Sequence, residues 1–179
     1  NAGSPPVVAL TALMLVTAMR APAAWPWAAA YALLAIAMPL CALTWMVHRG
    51  LVGDLDVQRR EERAAPMLLT LAFSGIGVLA LFLGRVQPAL LYVAVTFWLE
   101  MALLLAVTWR WKISVHCSVA ASGAVLASVL LGTGWPLLLL PCMAWSRVRL
   151  RRHTVAQTIA GTALGTALFA GFSCVLALV

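Results

Sequence analysis

Apolar residues follow one another in long blocks, separated by short stretches that hold nearly every charge and most of the turn formers. The blocks run Pro5–Met19, Trp27–Val47, Met67–Leu83, Ala89–Trp109, then from Ile113 to Leu131, Leu137 to Trp145, and Val155 to Val179. An unbroken apolar block of about 20 residues is the length a helix needs to cross a bilayer, since each residue rises ~1.5 Å. The breaks are marked by proline, glycine and arginine: Arg20–Pro26, Gly84–Pro88, Gly132–Pro136 and the basic stretch Ser146–His153. The longest break, HRGLVGDLDVQRREERAAP at 48–66, is the one extended polar segment. The pattern predicts an all-α fold: a polytopic transmembrane bundle of six or seven helices with short loops, forming a single integral membrane domain over 1–179.

Composition strengthens this reading. Of 179 residues, 64% are hydrophobic and only 9% are charged, with a mean hydropathy of +1.02. A soluble domain is about half apolar and roughly a quarter charged, so a water-soluble fold is excluded. The net charge of +7 comes from twelve Lys and Arg against five Asp and Glu. Because these cations sit in the gaps between apolar blocks, the expected partners are membrane lipids and phosphorylated headgroups, not nucleic acid. The four cysteines (Cys41, Cys117, Cys142 and Cys174) form no CxxC pair and read as core or lipid-facing thiols.

Counting crossings places segments 48–66, 110–116 and 146–153 on one membrane face. That face would carry Arg49, Arg59, Arg60, Arg63, Arg110, Lys112, Arg147, Arg149, Arg151 and Arg152, all three histidines and four of the five acids. The excess of positive charge places it on the cytoplasmic side of a bacterial-type cell membrane. Arginines at helix ends are also ordinary interfacial anchors, which alone accounts for Arg49, Arg110, Arg149 and Arg152.

Within this set the spacing is suggestive. His153 and Gln157 stand i,i+4, so on a helix the amide reaches the imidazole and selects its tautomer. Lys112 and His116 have the same spacing, with the Ser114 hydroxyl between them. Arg59 and Arg63 would share a helical face in segment 54–63, with Arg60 alongside. Arg147 lies six residues before His153. Two imidazoles, an ammonium, several guanidiniums and a hydroxyl suit phosphoryl transfer: cations neutralise the non-bridging oxygens, one histidine attacks and the other protonates the leaving oxygen. Glu100, near the middle of its block, reads as interhelical polar glue or as a deep part of the site.

These residues resemble the type-2 phosphatidic acid phosphatase superfamily, membrane lipid phosphatases related to the vanadium haloperoxidases. The family's third signature, SR-x5-H-x3-D, is matched by Ser146, Arg147 and His153, with Gln157 in the place of the Asp and a glycine-rich helix (Gly161, Gly165) following. Its second, PSGH, is matched by Ser114 and His116, with Ile113 and Val115 in place of Pro and Gly. Of its first, K-x6-RP, Arg63 matches, with Ala64 after it and Asp56 where the Lys would stand. The resemblance covers about residues 48–165 of a divergent small member.

The resemblance implies a phosphatase acting on a lipid phosphate or diphosphate, a polyprenyl one foremost, without metal or other cofactor. His153 would form a phosphohistidine, His116 would protonate the leaving group, and Gln157 would orient His153. Arg147, Ser114, Lys112 and the arginines Arg63, Arg59 and Arg60 would hold the phosphoryl oxygens. Two alternatives stand beside it. One is a prenyl- or alcohol-phosphate transferase holding Mg²⁺ on Asp54 and Asp56. The other is a catalytically inactive lipid-binding member of the fold.

Overall fold

The computed structural model describes residues 4–176, with side chains as far as Gly171. Among the described residues there is helix and turn but no strand. The helices are α1 (Pro5–Arg20), α2 (Trp25–Ala32), α3 (Met38–His48), α4 (Ala64–Leu83), α5 (Pro88–Thr108), α6 (Val115–Leu131), α7 (Leu139–Arg149) and α8 (Val155–Leu176). Three stretches are long and apolar enough to cross a membrane: Pro22–His48, Ala64–Leu83 and Pro88–Thr108. Shorter apolar helices are Pro5–Arg20, Val115–Leu131 and, within the described side chains, Val155–Gly171.

The chain divides into two compact units. One joins the N-terminal stretch through Pro22 to everything from Ile113 onward; the other is Ala23–Lys112.

In the unit Ala23–Lys112, α2 and α3 form one rod joined by a π-turn at Leu33–Ala37. Hydropathy predicts an unbroken helix here. Pro39 explains the difference: an interior proline lacks an N–H and its ring collides with the carbonyl four residues back. The wider turn, in which the Met38 N–H reaches Leu33 C=O, takes up that misfit without ending the rod. Trp27 and Trp45 stand 18 residues apart on it, ~27 Å along the axis, close to the thickness of a hydrocarbon core. Tryptophans at both ends of such a span suit the two membrane–water interfaces.

Glycines in and at the end of α4 make room for large neighbours in the same unit. A Cβ at Gly77 would lie 2.7 Å from the Tyr31 ring, and one at Gly84 2.4 Å from Trp27. Two cross-helix hydrogen bonds add direction: Trp98 Nε1 donates to Leu71 C=O (3.1 Å) and the Tyr31 hydroxyl to Ala94 C=O (3.3 Å). Glu100 is fully buried on α5.

In the other unit, α6 and α8 are the closest pair. A Cβ at Gly161 would sit 2.4 Å from the Ser114 carbonyl oxygen, and one at Gly165 2.1 Å from that of Ser118. The matched steps 114 to 118 and 161 to 165 show that the helices run parallel. Small residues let the two backbones approach this closely: glycine on α8, and on α6 the buried serines Ser114, Ser118 and Ser122. On the far side, α1 packs Val8 against Gly123.

Candidate active site

Parallel packing brings the N-termini of α6 and α8 to the same end of their unit. Ser114 is the N-cap of α6: its hydroxyl accepts from the Cys117 N–H (3.3 Å). Its own backbone N–H donates to Gln157 C=O in the first turn of α8 (3.3 Å). The first turn of α8 is closed by a reciprocal pair. Gln157 N–H donates to Thr154 Oγ1 (3.3 Å), and Thr154 N–H donates to Gln157 Oε1 (3.2 Å). This is a capping box, with threonine at the N-cap and glutamine at the third helical position.

The same Oε1 lies 3.0 Å from His153 Nδ1. A backbone N–H can only donate, so the glutamine atom facing Thr154 is the amide oxygen. That oxygen must accept from the imidazole too, which puts the ring proton on Nδ1. In the neutral ring Nε2 then keeps its lone pair, the form that acts as nucleophile, base or ligand. His153 is buried, only 8% exposed.

The turn before it is equally constrained. α7 ends in a Schellman arrangement: Arg151 N–H donates to Val148 C=O and Arg152 N–H to Arg147 C=O, with Arg151 left-handed at φ +54°. Arg147 C=O also receives the His153 N–H (3.4 Å). Arg147 is itself buried, at 6% exposure, and its charge acts on Cys117 in the first turn of α6. Ser114, Arg147, His153 and Gln157 are thus tied together by main-chain and side-chain bonds in one unit. His116, half-buried at the second position of α6, starts the same helix.

Several expected local geometries are corrected. Ser146 and Arg147 lie in the last turn of α7, which continues to Arg149, and not in a loop. Lys112 and His116 are not one helical turn apart, because α6 begins only at Val115 and Ser114 is extended at φ −87°, ψ 99°. Lys112 belongs to the unit Ala23–Lys112.

Arg59 and Arg63 share no helical face: residues 51–63 form turns, and α4 starts at Ala64, three residues before the apolar block predicts. Pro66 is compatible with that start because the first helical turn needs no N–H from it. The cause of the non-helical path is local. Gly53 N–H goes to the Glu62 carboxylate (2.8 Å), Val57 N–H turns back to Asp54 C=O, and Asp54 bonds Gln58. Val57 takes φ +43°, rare for a β-branched residue, while its side chain is buried with Met46 and Val52.

The arginines of this segment have partners within it or on α5's end. Arg63 is buried and its Nε donates to Val57 C=O (2.9 Å); burial lowers its pKa, opposed by the charges of Asp56 and Asp54. Arg60 donates to Arg110 C=O (2.8 Å), and Arg59 pairs with Glu62 at 3.5 Å. Asp54 and Asp56 therefore act on Arg63, and among the described residues no three His, Cys, Asp or Glu side chains gather as a metal site. Cys41 and Cys142 are exposed thiols and Cys117 a buried one; the side chain of Cys174 lies outside the described residues.

Thr154 is the residue that spacing arguments on histidines and cations passed over. Its signal was present: T-x-x-Q at 154–157, just before an apolar block, is a capping-box pattern. Compared with known proteins, the chain matches no family model, no curated protein and no solved structure.

Proposed function

We propose that the protein is an integral membrane phosphatase that hydrolyses a lipid phosphate or diphosphate, polyprenyl-type foremost, through a phosphohistidine. The observation that carries the reading is the Gln157 amide, held by Thr154, selecting the His153 tautomer that keeps a lone pair on Nε2. The resemblance of Ser146, Arg147, His153, Ser114 and His116 to the type-2 phosphatidic acid phosphatase signatures agrees with it. The proposed site is confined to the unit that holds these residues.

In this reading Nε2 of His153 attacks phosphorus, and the bond from phosphorus to the leaving oxygen breaks as His116 delivers a proton to that oxygen. Water then attacks the phosphohistidine, giving its proton to His116, and the P–N bond breaks to release inorganic phosphate and free histidine. Arg147 and the Ser114 hydroxyl would hold the non-bridging oxygens. Gln157 orients the ring but, being neutral, cannot stabilise the imidazolium as a carboxylate would. The reading includes seven spans, the three shorter apolar helices and α7 in addition to the three long ones, in a bacterial-type cell membrane with the His153 face cytoplasmic.

The test is phosphate release from a panel of lipid phosphates by protein in nanodiscs, with and without chelator. Release that survives chelator and is lost in His153→Ala is expected. Activity abolished by chelator and by Asp54→Ala or Asp56→Ala would replace the phosphatase with the Mg-dependent transferase. Absence of turnover on every substrate would leave a lipid-binding protein. Cysteines introduced at positions 133 and 151 should label from opposite sides; labelling from one side would remove α7 as a span.

A further inference from the structure

We propose that the turn from α7 into α8 is a docking surface for an anionic phospholipid headgroup, made by Arg149 and Arg151 around Leu150. The surface does not depend on the phosphatase reading. It shares a segment with His153 but uses different side chains.

Charge is the first argument. All five acids of the chain (Asp54, Asp56, Glu61, Glu62 and Glu100) belong to the unit Ala23–Lys112. The other unit carries Arg20, Arg147, Arg149, Arg151 and Arg152 and no Asp or Glu. Arg147 is turned inward and buried, whereas Arg149 and Arg151 are exposed. Among the described residues neither of these two makes an ion pair.

Backbone conformation is the second. Arg151 occupies the left-handed position that ends α7, φ +54°, where glycine is the relaxed residue. The cap itself is made by main-chain bonds from Arg151 and Arg152, so it asks for no arginine side chain. Arg149, in the last helical turn, is favoured by the helix dipole. Arg151 lies beyond that turn, and its guanidinium has no such task within the chain.

The apolar neighbours decide the class of partner. Leu150 between the two arginines is 59% exposed, with Trp145 at 68% and Val155 at 58% on either side. A soluble phosphate would be served by the cations alone. Cations interleaved with exposed leucine, tryptophan and valine match a headgroup phosphate with acyl chains beneath it.

The experiment is native mass spectrometry of the full chain from mixed micelles of phosphatidylglycerol and phosphatidylcholine. Neither lipid is a phosphomonoester, so hydrolysis does not confuse the readout. The parent should retain phosphatidylglycerol in preference, and the double variant R149Q/R151G should lose about tenfold of that preference. Glycine suits the left-handed site, so the variant keeps its fold, which its melting temperature checks. R85G removes an arginine from another left-handed helix end, φ +49°, and should leave the preference unchanged. An unchanged preference in R149Q/R151G, or an equal loss in R85G, would overturn the proposal. So would displacement of the lipid by glycerophosphoglycerol at matched concentration, since that headgroup has no acyl chains.

Discussion

Gln157 Oε1 stands 3.0 Å from His153 Nδ1 and 3.2 Å from the Thr154 N–H, so one amide oxygen both closes the first turn of α8 and selects a histidine tautomer. Structural cap and chemical positioning are carried by the same atom. Any substitution there moves two quantities, and they can be measured apart.

Gln157→Ala should lower phosphate release about tenfold through misorientation of the ring, roughly 1–2 kcal/mol. Gln157→Glu retains the capping box and adds a carboxylate, so it should match or exceed the parent rate. Selective ¹⁵N labelling of histidine gives an independent readout: His153 Nε2 should resonate as an unprotonated nitrogen in the parent and lose that fixed character in Gln157→Ala. An unchanged spectrum in that variant would separate Gln157 from the tautomer.

Thr154→Ala removes the side-chain acceptor for Gln157 N–H and should cost about 1 kcal/mol of stability, while Thr154→Ser should cost little. Thermal unfolding in detergent reads the difference. Equal melting temperatures for the two variants would show that the box contributes nothing.

Gly161→Ala and Gly165→Ala push a methyl to within 2.4 Å and 2.1 Å of α6 carbonyl oxygens. Neither carbonyl can swing aside without unwinding α6, so each change should destabilise by about 1–3 kcal/mol. Gly171→Ala meets nothing within 4 Å and should stabilise slightly, by about 0.5–1 kcal/mol, because alanine is the better helix former. Opposite signs in the melting temperature are the expected result.

Arg85 holds φ +49° beyond the end of α4, where Arg85 N–H and Val86 N–H cap Phe82 and Leu81 carbonyls. Arg85→Gly should therefore raise stability by about 1 kcal/mol. A melting temperature below the parent's would mean that the side chain contributes more than its backbone strain costs.

Arg63→Met removes the bond to Val57 C=O and takes away the buried cation on which the Asp54 and Asp56 charges act. A loss of about 1–3 kcal/mol is expected, with faster proteolysis confined to residues 51–63. Cleavage spread through the whole chain would argue that the segment is not held locally.

Block length and breaker position were enough, in the sequence alone, to determine the helical class and nearly every helix. A run of twenty apolar residues has few ways to satisfy its backbone in a bilayer other than by helix, so Ala64–Leu83 and Pro88–Thr108 follow within three residues of their apolar blocks. The spacing of His153 and Gln157 announced their contact, but His153 lies in the bend before α8, and the capping box, not a helical turn, brings the amide to the ring.

Tertiary structure alone decided the rest. Helical spacing misled at Lys112–His116 and Arg59–Arg63, because a residue count cannot say where a helix starts. Those starts depend on the Ser114 cap, on the Glu62 carboxylate taking Gly53 N–H, and on Arg63 holding Val57 in a left-handed turn. The parallel approach of α6 and α8, which sets Ser114 against Gln157, rests on carbonyl oxygens lying where glycine Cβ atoms are missing. That is a property of two surfaces distant in sequence. Neither surface carries it alone, so no local pattern could have contained it.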